Sequence, residues 1–109
     1  MNIKRVRYAL ALAKEMNFAR AAESVHLSQP ALSRGIQTLE EELGLRLFDR
    51  DNRNVSVTKA GEAFLEHAKR VMFHVGTLKL EMEQLRDGDI GHVAFGVGSM
   101  PTYGFMRQV

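Results

Sequence analysis

The 109-residue chain contains no cysteine and no tryptophan, and only two of its residues are proline. Without cysteine it can form neither a disulfide framework nor a thiolate metal site, which permits a reducing cytoplasm. Its few proline and glycine residues and its hydrophobic content of 45% argue against a disordered polypeptide. Length and composition therefore predict one ordered domain, or one small domain with an appendage.

Long apolar runs are also missing. Lys4, Arg5 and Arg7 precede an apolar stretch, as in an export signal, but this stretch covers only residues 8–13. It is too short for an export segment, and no membrane-spanning run follows elsewhere. We therefore expect an amphipathic first helix in a cytoplasmic protein that has no membrane partner.

The groups that indicate an enzyme do not occur at convincing spacing. No nucleophile and base can be paired, and His67 and His74 lie two helical turns apart, too far for one metal ion. Gly91, Gly96 and Gly98 lack both the Lys-Ser/Thr of a phosphate loop and the dinucleotide spacing. We expect a protein that is not an enzyme and that binds neither a metal nor a cofactor.

The net charge is small and unevenly distributed. It is +2 overall, and residues 1–60 hold ten Lys/Arg against seven Asp/Glu, whereas residues 61–109 hold five against six. A basic surplus in the first part suits a nucleic-acid partner but is weak support for one by itself.

Apolar periodicity predicts three short helices before residue 44. The first spans residues 3–16. Asn17 is suited to cap a second helix over residues 18–25, and residues 26 and 27 form a turn. Ser28 is suited to cap a third helix, which tolerates Pro30 in its first turn and ends at Gly44.

The third helix has two chemically opposite faces when its residues are placed about 100° apart. One narrow stripe is apolar and consists of Leu32, Ile36, Leu39 and Leu43. The other side carries Pro30 and four short or planar hydrogen-bonding groups, Gln29, Ser33, Arg34 and Gln37. A merely solvated face does not need this choice of side chains, whereas a helix that reads base edges does.

Beyond Gly44 the pattern changes. Two short alternating segments, residues 45–50 and 55–58, flank a polar tip and predict a β-hairpin. Thr58 is suited to cap a fourth helix that runs to about residue 86 and is broken by residues 87–89. Residues 92–97 have the pattern of a buried strand.

The fourth helix carries an apolar seam with alternating four- and three-residue spacing. The seam consists of Phe64, Ala68, Val71, Val75, Leu78, Met82 and Leu85. This spacing is typical of a coiled coil between two subunits. An ordinary amphipathic helix packed on its own domain is the alternative, but little chain remains to cover the stripe.

These motifs together resemble the N-terminal region of LysR-type bacterial transcriptional regulators. In the second and third helices the resemblance rests on Ala21-Ala22-Glu23, the run from Ser28 to Arg34, Ile36 and Leu39-Glu40. Downstream it rests on Leu43-Gly44, Leu47-Phe48, Arg50, Val57-Thr58 and Ala60-Gly61-Glu62. It covers residues 3–97, and only Gly35 and Val57 depart from it, standing where a helix former and a leucine are commoner.

The resemblance implies a mainly α fold in three parts. Residues 1–58 would form a winged helix-turn-helix, with the helix-turn-helix itself at residues 18–37. Residues 59–88 would form a linker helix that pairs two subunits, and residues 89–109 would begin a truncated effector-binding domain. We therefore expect the chain to be a fragment of a longer protein.

The resemblance also implies that the third helix enters the major groove of DNA and that the wing enters the minor groove. The candidate DNA-binding residues are Ser28, Gln29, Pro30, Ala31, Ser33, Arg34, Gln37, Thr38, Arg50 and Arg53. Gln29 suits adenine and Arg34 suits guanine, whereas Ser33 suits a base or a phosphate.

The other candidates have weaker assignments. Pro30 and Ala31 either contact a thymine methyl group or only help the helix to start. Gln37 and Thr38 lie toward the edge of the face, nearer phosphate than base. Arg53, at the wing tip, suits a narrow minor groove.

Arg50 precedes the wing tip and is expected to contact a phosphate, with a salt bridge to Asp49 or Asp51 as the alternative. The three glutamates at residues 40–42 lie too far along the third helix to face the groove. We expect them to form a solvated face or to pair with Arg46.

The expected partners are double-stranded DNA with a dyad-symmetric site and a second copy of the chain. A tetramer of the longer protein and a contact with RNA polymerase are further options. Ser99 and Thr102 match effector-binding positions of the family, but we expect no effector binding without the rest of that domain. The alternative function is a coiled-coil protein-interaction module that does not bind DNA.

Overall fold

The computed structural model describes residues 1–51 and 54–88. It contains four helices, α1 (Ile3–Glu15), α2 (Phe18–Ser24), α3 (Gln29–Leu43) and α4 (Lys59–Gly88), and two strands, β1 (Phe48–Arg50) and β2 (Val55–Val57). The predicted strand at residues 92–97 lies outside the described residues.

Side-chain caps begin the first three helices. The side-chain oxygens of Asn2, Asn17 and Ser28 accept hydrogen bonds from the N–H groups of Lys4, Arg20 and Ala31 at 2.7, 2.9 and 3.2 Å. These bonds satisfy N–H groups that have no partner within the helix. The caps predicted at Asn17 and Ser28 are confirmed.

Left-handed residues end two of the helices. α3 stops at Gly44, which has a φ of 71° and donates its N–H to the Glu40 carbonyl at 2.8 Å, as predicted. α1 ends at Glu15, one residue earlier than predicted, because Met16 takes a φ of 51°. α2 likewise ends at Ser24, since Val25 has left the helical conformation.

The core forms where α1, α2, α3 and β1 meet. Its largest fully buried side chains are Leu12, Leu32, Ile36, Leu39, Leu47 and Phe48. Ala21 and Ala22 are buried on α2, where their small side chains permit close packing against neighbouring helices. The apolar stripe predicted on α3 is therefore the face that the core covers.

The two strands form an antiparallel hairpin. Phe48 pairs with Val57, Asp49 with Ser56 and Arg50 with Val55. At the end of the hairpin where the chain passes from β1 to β2, the Asp51 N–H donates to the Asn54 carbonyl at 3.1 Å, and the Asn54 N–H donates to Asp51 Oδ1 at 3.2 Å. The hairpin predicted beside α3 is thus present, with shorter strands than expected.

Thr58 caps α4, as predicted, and accepts a hydrogen bond from the Gly61 N–H at 2.9 Å. The helix then continues through Asp87 and Gly88, so the break predicted at residues 87–89 was placed too early. One glycine in the last turn costs a helix only about 1 kcal/mol, which is too little to end it.

The chain divides into two compact units within α4, Met1–Met72 and Phe73–Val109. The first turns of the helix belong to the first unit, because Ala60 and Phe64 pack against its core. The domain boundary between residues 58 and 59 stays a prediction. In the described residues no helix is long and apolar enough to cross a membrane.

Candidate nucleic-acid interface

The first three turns of α3 present a polar surface outward. Gln29, Pro30, Arg34 and Gln37 are exposed, whereas Ala31, Ser33 and Thr38 are half-buried. On the opposite side Leu32, Ile36 and Leu39 have no exposed surface. Since the core buries Leu32, Ile36 and Leu39 and packs against Leu43, the outward face is fixed in direction and has rigid support.

The turn between α2 and α3 sets the direction in which α3 begins. His26 has a φ of 59°, a left-handed conformation that is unfavourable for a residue with a side chain. The Leu27 N–H then donates to the Ala22 carbonyl at 2.9 Å, and the Leu27 side chain packs against the core. These contacts hold the chain in the turn despite the strain at His26.

A groove lies between the beginning of α1 and the outward face of α3. Lys4, Tyr8, Arg34, Gly35 and Thr38 are among its lining residues. A Cβ atom at Gly35 would lie 3.0 Å from the Tyr8 ring, which is a tight contact. Glycine at this helical position therefore allows the aromatic ring to lie close against α3.

Two positively charged side chains, Arg34 on the outward face and Lys4 at the groove beside it, are free to meet a ligand. Within the part of the chain that the structure describes, no carboxylate lies within ion-pair distance of Arg34 or Lys4. Thr38 is less available, because its hydroxyl donates to the Arg34 carbonyl at 3.0 Å. A phosphate would have to compete with that bond for the hydroxyl proton.

Arg50 does not lie on the outward face with the other candidates. Its guanidinium lies 3.6 Å from the Glu40 carboxylate and 5.2 Å from the centre of the Phe18 ring. Its Nη2 atom is buried and has no hydrogen-bond partner among the described residues. The salt bridge considered to Asp49 or Asp51 is thus formed with Glu40 instead, and the side chain is turned away from solvent.

Glu40 agrees with one of its two predicted surroundings and not with the other. A solvated face was the first alternative, yet its side chain is only 7% exposed. Oε2 accepts hydrogen bonds from the N–H groups of Leu47 and Phe48 at 2.8 and 3.1 Å. The expected pairing with Arg46 is present, at 3.8 Å.

Helical position alone could not reveal this burial. On a helix Glu40 falls on nearly the same side as Gln29, which is exposed. It is covered because residues 46–48 return across the last turns of α3. The sequence held one signal for it, namely the two arginines, Arg46 and Arg50, that flank the buried pair Leu47 and Phe48.

The seam predicted on α4 is divided between folding and exposure. In the first unit Phe64 packs against the core and Ala68 is buried, so these two residues serve the chain's own fold. In the second unit Leu78, Met82 and Leu85 remain exposed, by 58%, 49% and 59%. Pairing of two subunits through the seam stays a prediction, and Phe64 and Ala68 already have packing contacts within the chain.

Three predicted site residues, Arg53, Ser99 and Thr102, lie outside the described residues. Within the described residues, no group of three or more histidine, cysteine or acidic side chains is placed to hold a metal ion.

The chain forms three helices, then a two-stranded wing and a long helix, and a tight turn joins the second helix to the third. This order of elements defines a winged helix-turn-helix protein. The sequence model of bacterial regulatory helix-turn-helix proteins of the lysR family matches residues 3–62. The chain belongs to this LysR family.

Individual relatives agree with this assignment. The SDS degradation transcriptional activation protein of Pseudomonas sp. (strain ATCC 19151) is 46% identical over 92% of this chain. XapR of Escherichia coli, an HTH-type transcriptional regulator, is 38% identical over 99% of it. The chain spans only about a third of these relatives, 33% and 37% of their lengths.

A solved structure agrees in fold. The crystal structure of a CbnR_DBD–DNA complex is 36% identical in sequence to this chain and has a TM-score of 0.75. The match covers 79% of this chain and 99% of the CbnR chain.

Proposed function

We propose that this chain binds duplex DNA at specific sequences and that it does so as a homodimer within a LysR-type transcriptional regulator. The observation that carries the proposal is the outward face of α3. Gln29, Arg34 and Gln37 are exposed there, the opposite side of the helix packs on the core, and Arg34 has no carboxylate partner among the described residues. The relative CbnR_DBD, similar in fold, was crystallised with DNA.

Base choice is assigned to three side chains. Arg34 is suited to donate two hydrogen bonds to the O6 and N7 atoms of guanine, and Gln29 pairs in the same bidentate way with adenine. Ser33 lies one turn after Gln29 and bonds a base or a phosphate. Pro30 and Ala31 add apolar contact to a thymine methyl group.

Phosphate contacts supply affinity without sequence preference. Ser28 and Gln37 lie at the edges of the outward face and are assigned this role, with Thr38 as a weaker contact because its hydroxyl is already bonded. Arg53 stays a predicted minor-groove contact of the wing. We leave Arg50 out of the interface, because its guanidinium lies against Glu40 and Phe18.

Dimerisation is assigned to the part of the seam that the core does not cover, which consists of exposed Val71, Leu78, Met82 and Leu85 and half-buried Val75. Water-exposed side chains of this kind at heptad spacing gain free energy when a second helix covers them. Two copies would place their α3 helices in successive major grooves, about 34 Å apart, on a dyad-symmetric site.

Beyond this chain we propose that the longer regulator acts in the cytoplasm without enzymatic activity. It would use a small-molecule effector, which this chain does not bind, and no metal or other cofactor. Tetramer formation and contact with RNA polymerase are further proposals for that longer protein.

Selection of bound sites from a random duplex pool tests the proposal directly. The expected result is a dyad-symmetric consensus whose half-sites are about 10 base pairs apart or a multiple of that. Binding to the selected site should weaken steeply with salt, because phosphate contacts release counterions. Enrichment of no sequence, with self-association retained, would instead favour the protein-interaction module.

A further inference from the structure

Glu40 joins α3 to the wing, the β1–β2 hairpin, through hydrogen bonds to the segment Arg46–Phe48. Its carboxylate receives the N–H groups of Leu47 and Phe48 through one oxygen, while the other oxygen faces Arg50 at 3.6 Å. Hydrogen bonds to an ionised acceptor are about twice as strong as neutral ones. A single side chain of α3 therefore holds the beginning of β1.

The carbonyl side of the same segment is held by Thr58. The Arg46 carbonyl accepts from the Thr58 hydroxyl at 2.6 Å, and the Leu47 carbonyl accepts from the Thr58 N–H at 3.0 Å. The base of the wing is thus fixed from two sides. Of these two sets of hydrogen bonds, only the one made by Glu40 involves a charged group and reaches α3.

Arg50 extends this connection to α2. It is paired with Val55 across the hairpin, and its guanidinium lies between the Glu40 carboxylate and the Phe18 ring. The side chain is only 25% exposed, so the ion pair is less screened by salt than a surface pair. The position of the hairpin relative to α3 is therefore sensitive to the charge at Glu40.

We propose that Glu40 is a positioning residue for DNA binding: its charge sets the place of the β1–β2 hairpin beside α3 and so determines how much DNA beyond the base pairs under α3 contributes to affinity. The inference rests on the proposed function. It assigns Glu40 no contact with DNA and no part in the choice of bases by Arg34.

Glu40→Gln separates charge from shape. The amide oxygen of glutamine can still accept from Leu47 and Phe48, but its NH₂ group would face the Arg50 guanidinium, a donor against a donor. Glu41→Gln is the matched control, because Glu41 is the next residue of α3, makes the same chemical change and is exposed. Arg50→Met removes the other half of the ion pair and serves if Glu40→Gln does not fold.

Amide hydrogen exchange of the free 109-residue chain is the first measurement. Glu40→Gln should lower protection at Leu47 and Phe48 by about tenfold, as expected for weakening a buried hydrogen bond to a charged group, and should leave amides of α1 unchanged. Glu41→Gln should change neither. Equal loss across all core amides would show that Glu40 stabilises the fold as a whole and would overturn the positioning role.

The second measurement compares affinity for a selected duplex with affinity for the same duplex trimmed to the base pairs under α3. The unmodified chain should bind the longer duplex more tightly. In Glu40→Gln the ratio of the two affinities should be lower by about fivefold or more, a loss within the usual range of coupling energies. Discrimination at the base pair assigned to Arg34 should be unchanged. The double variant with Arg50→Met should be no worse than either single variant.

The outcomes separate this inference from the function on which it depends. If the gain from flanking DNA is the same in Glu40→Gln and Glu41→Gln, Glu40 does not position the wing and the inference fails, while DNA binding stands. If the unmodified chain selects no duplex, the proposed function fails. Exchange at Leu47 and Phe48 then decides alone whether Glu40 holds the wing.

Discussion

The same kind of apolar side chain has opposite surroundings in the two compact units. In the first unit Phe48 and Leu32 have no exposed surface, whereas in the described part of the second unit Leu78 and Leu85 are more than half exposed. The first unit folds around a core of apolar residues that its own chain covers, although some apolar residues at its surface, such as Leu45, stay exposed. The described residues of the second unit form only helix, and the exposed apolar side chains of that helix are not covered by other described residues.

The largest effect is expected where burial is complete. Phe48→Ala should destabilise the first unit by about 3–5 kcal/mol, because it removes a ring from the centre of the core and leaves a cavity. Leu85→Ala, a truncation to alanine in the second unit, should change monomer stability by less than about 0.5 kcal/mol. Urea denaturation of dilute protein measures both, and similar losses in the two variants would refute the contrast.

Substitutions in the exposed apolar residues of the second unit should change self-association instead of monomer stability. Leu78→Glu should weaken self-association by roughly 2 kcal/mol or more, since it places a charge where a central apolar contact is proposed. Light scattering should show the monomer mass, and binding should weaken on a palindrome but not on a half-site. Lys79→Glu, next to it but off the seam, is the control, and an unchanged mass for Leu78→Glu would place the seam elsewhere.

Arg34 is exposed like the apolar residues of the second unit, but its expected partner is DNA and not a second copy of the chain. Arg34→Ala should cost about 1–3 kcal/mol in DNA binding and relax specificity at one base pair, without changing the mass in solution. Arg70→Ala removes another exposed arginine, on α4, and should affect neither DNA binding nor specificity. Equal weakening on selected and random duplexes would contradict base reading by Arg34.

The smallest effect concerns backbone strain in the first unit. His26→Gly should stabilise the fold by about 0.5 kcal/mol, because relief of the left-handed conformation, roughly 1–2 kcal/mol, exceeds the added chain entropy of glycine, roughly 0.5–1 kcal/mol. Lys14→Gly, within α1, should instead destabilise by about 1 kcal/mol. The midpoints of thermal unfolding compare the two, and a lower midpoint for His26→Gly would show that its imidazole makes a contact that outweighs the strain.

Much of this architecture follows from local chemistry that the sequence shows directly. The caps at Asn17, Ser28 and Thr58 and the glycine at the end of α3 are short-range signals, and the two faces of α3 follow from its period. Contacts between distant segments were less visible. The burial of Glu40 depends on the path of residues 46–48, and the inward turn of Arg50 depends on Phe18, more than thirty positions earlier in the chain.

Periodicity also could not tell covered seam residues from free ones. Phe64 and Ala68 satisfy the same heptad spacing as Leu78 and Leu85, yet the core reaches only the first two. A repeating pattern records that a face is apolar but not which molecule covers it. That information came from the packing of the first turns of α4.

Gly61, in the first turn of α4, couples the movement of this helix to that of the hairpin. A Cβ atom there would collide with the Leu47 carbonyl oxygen, so the backbones of α4 and of the segment leading into β1 touch without a side chain between them. The two backbones therefore cannot approach further. A rotation of the first turn of α4 would displace the segment leading into β1, and even the methyl group of alanine at this position would push the two backbones apart.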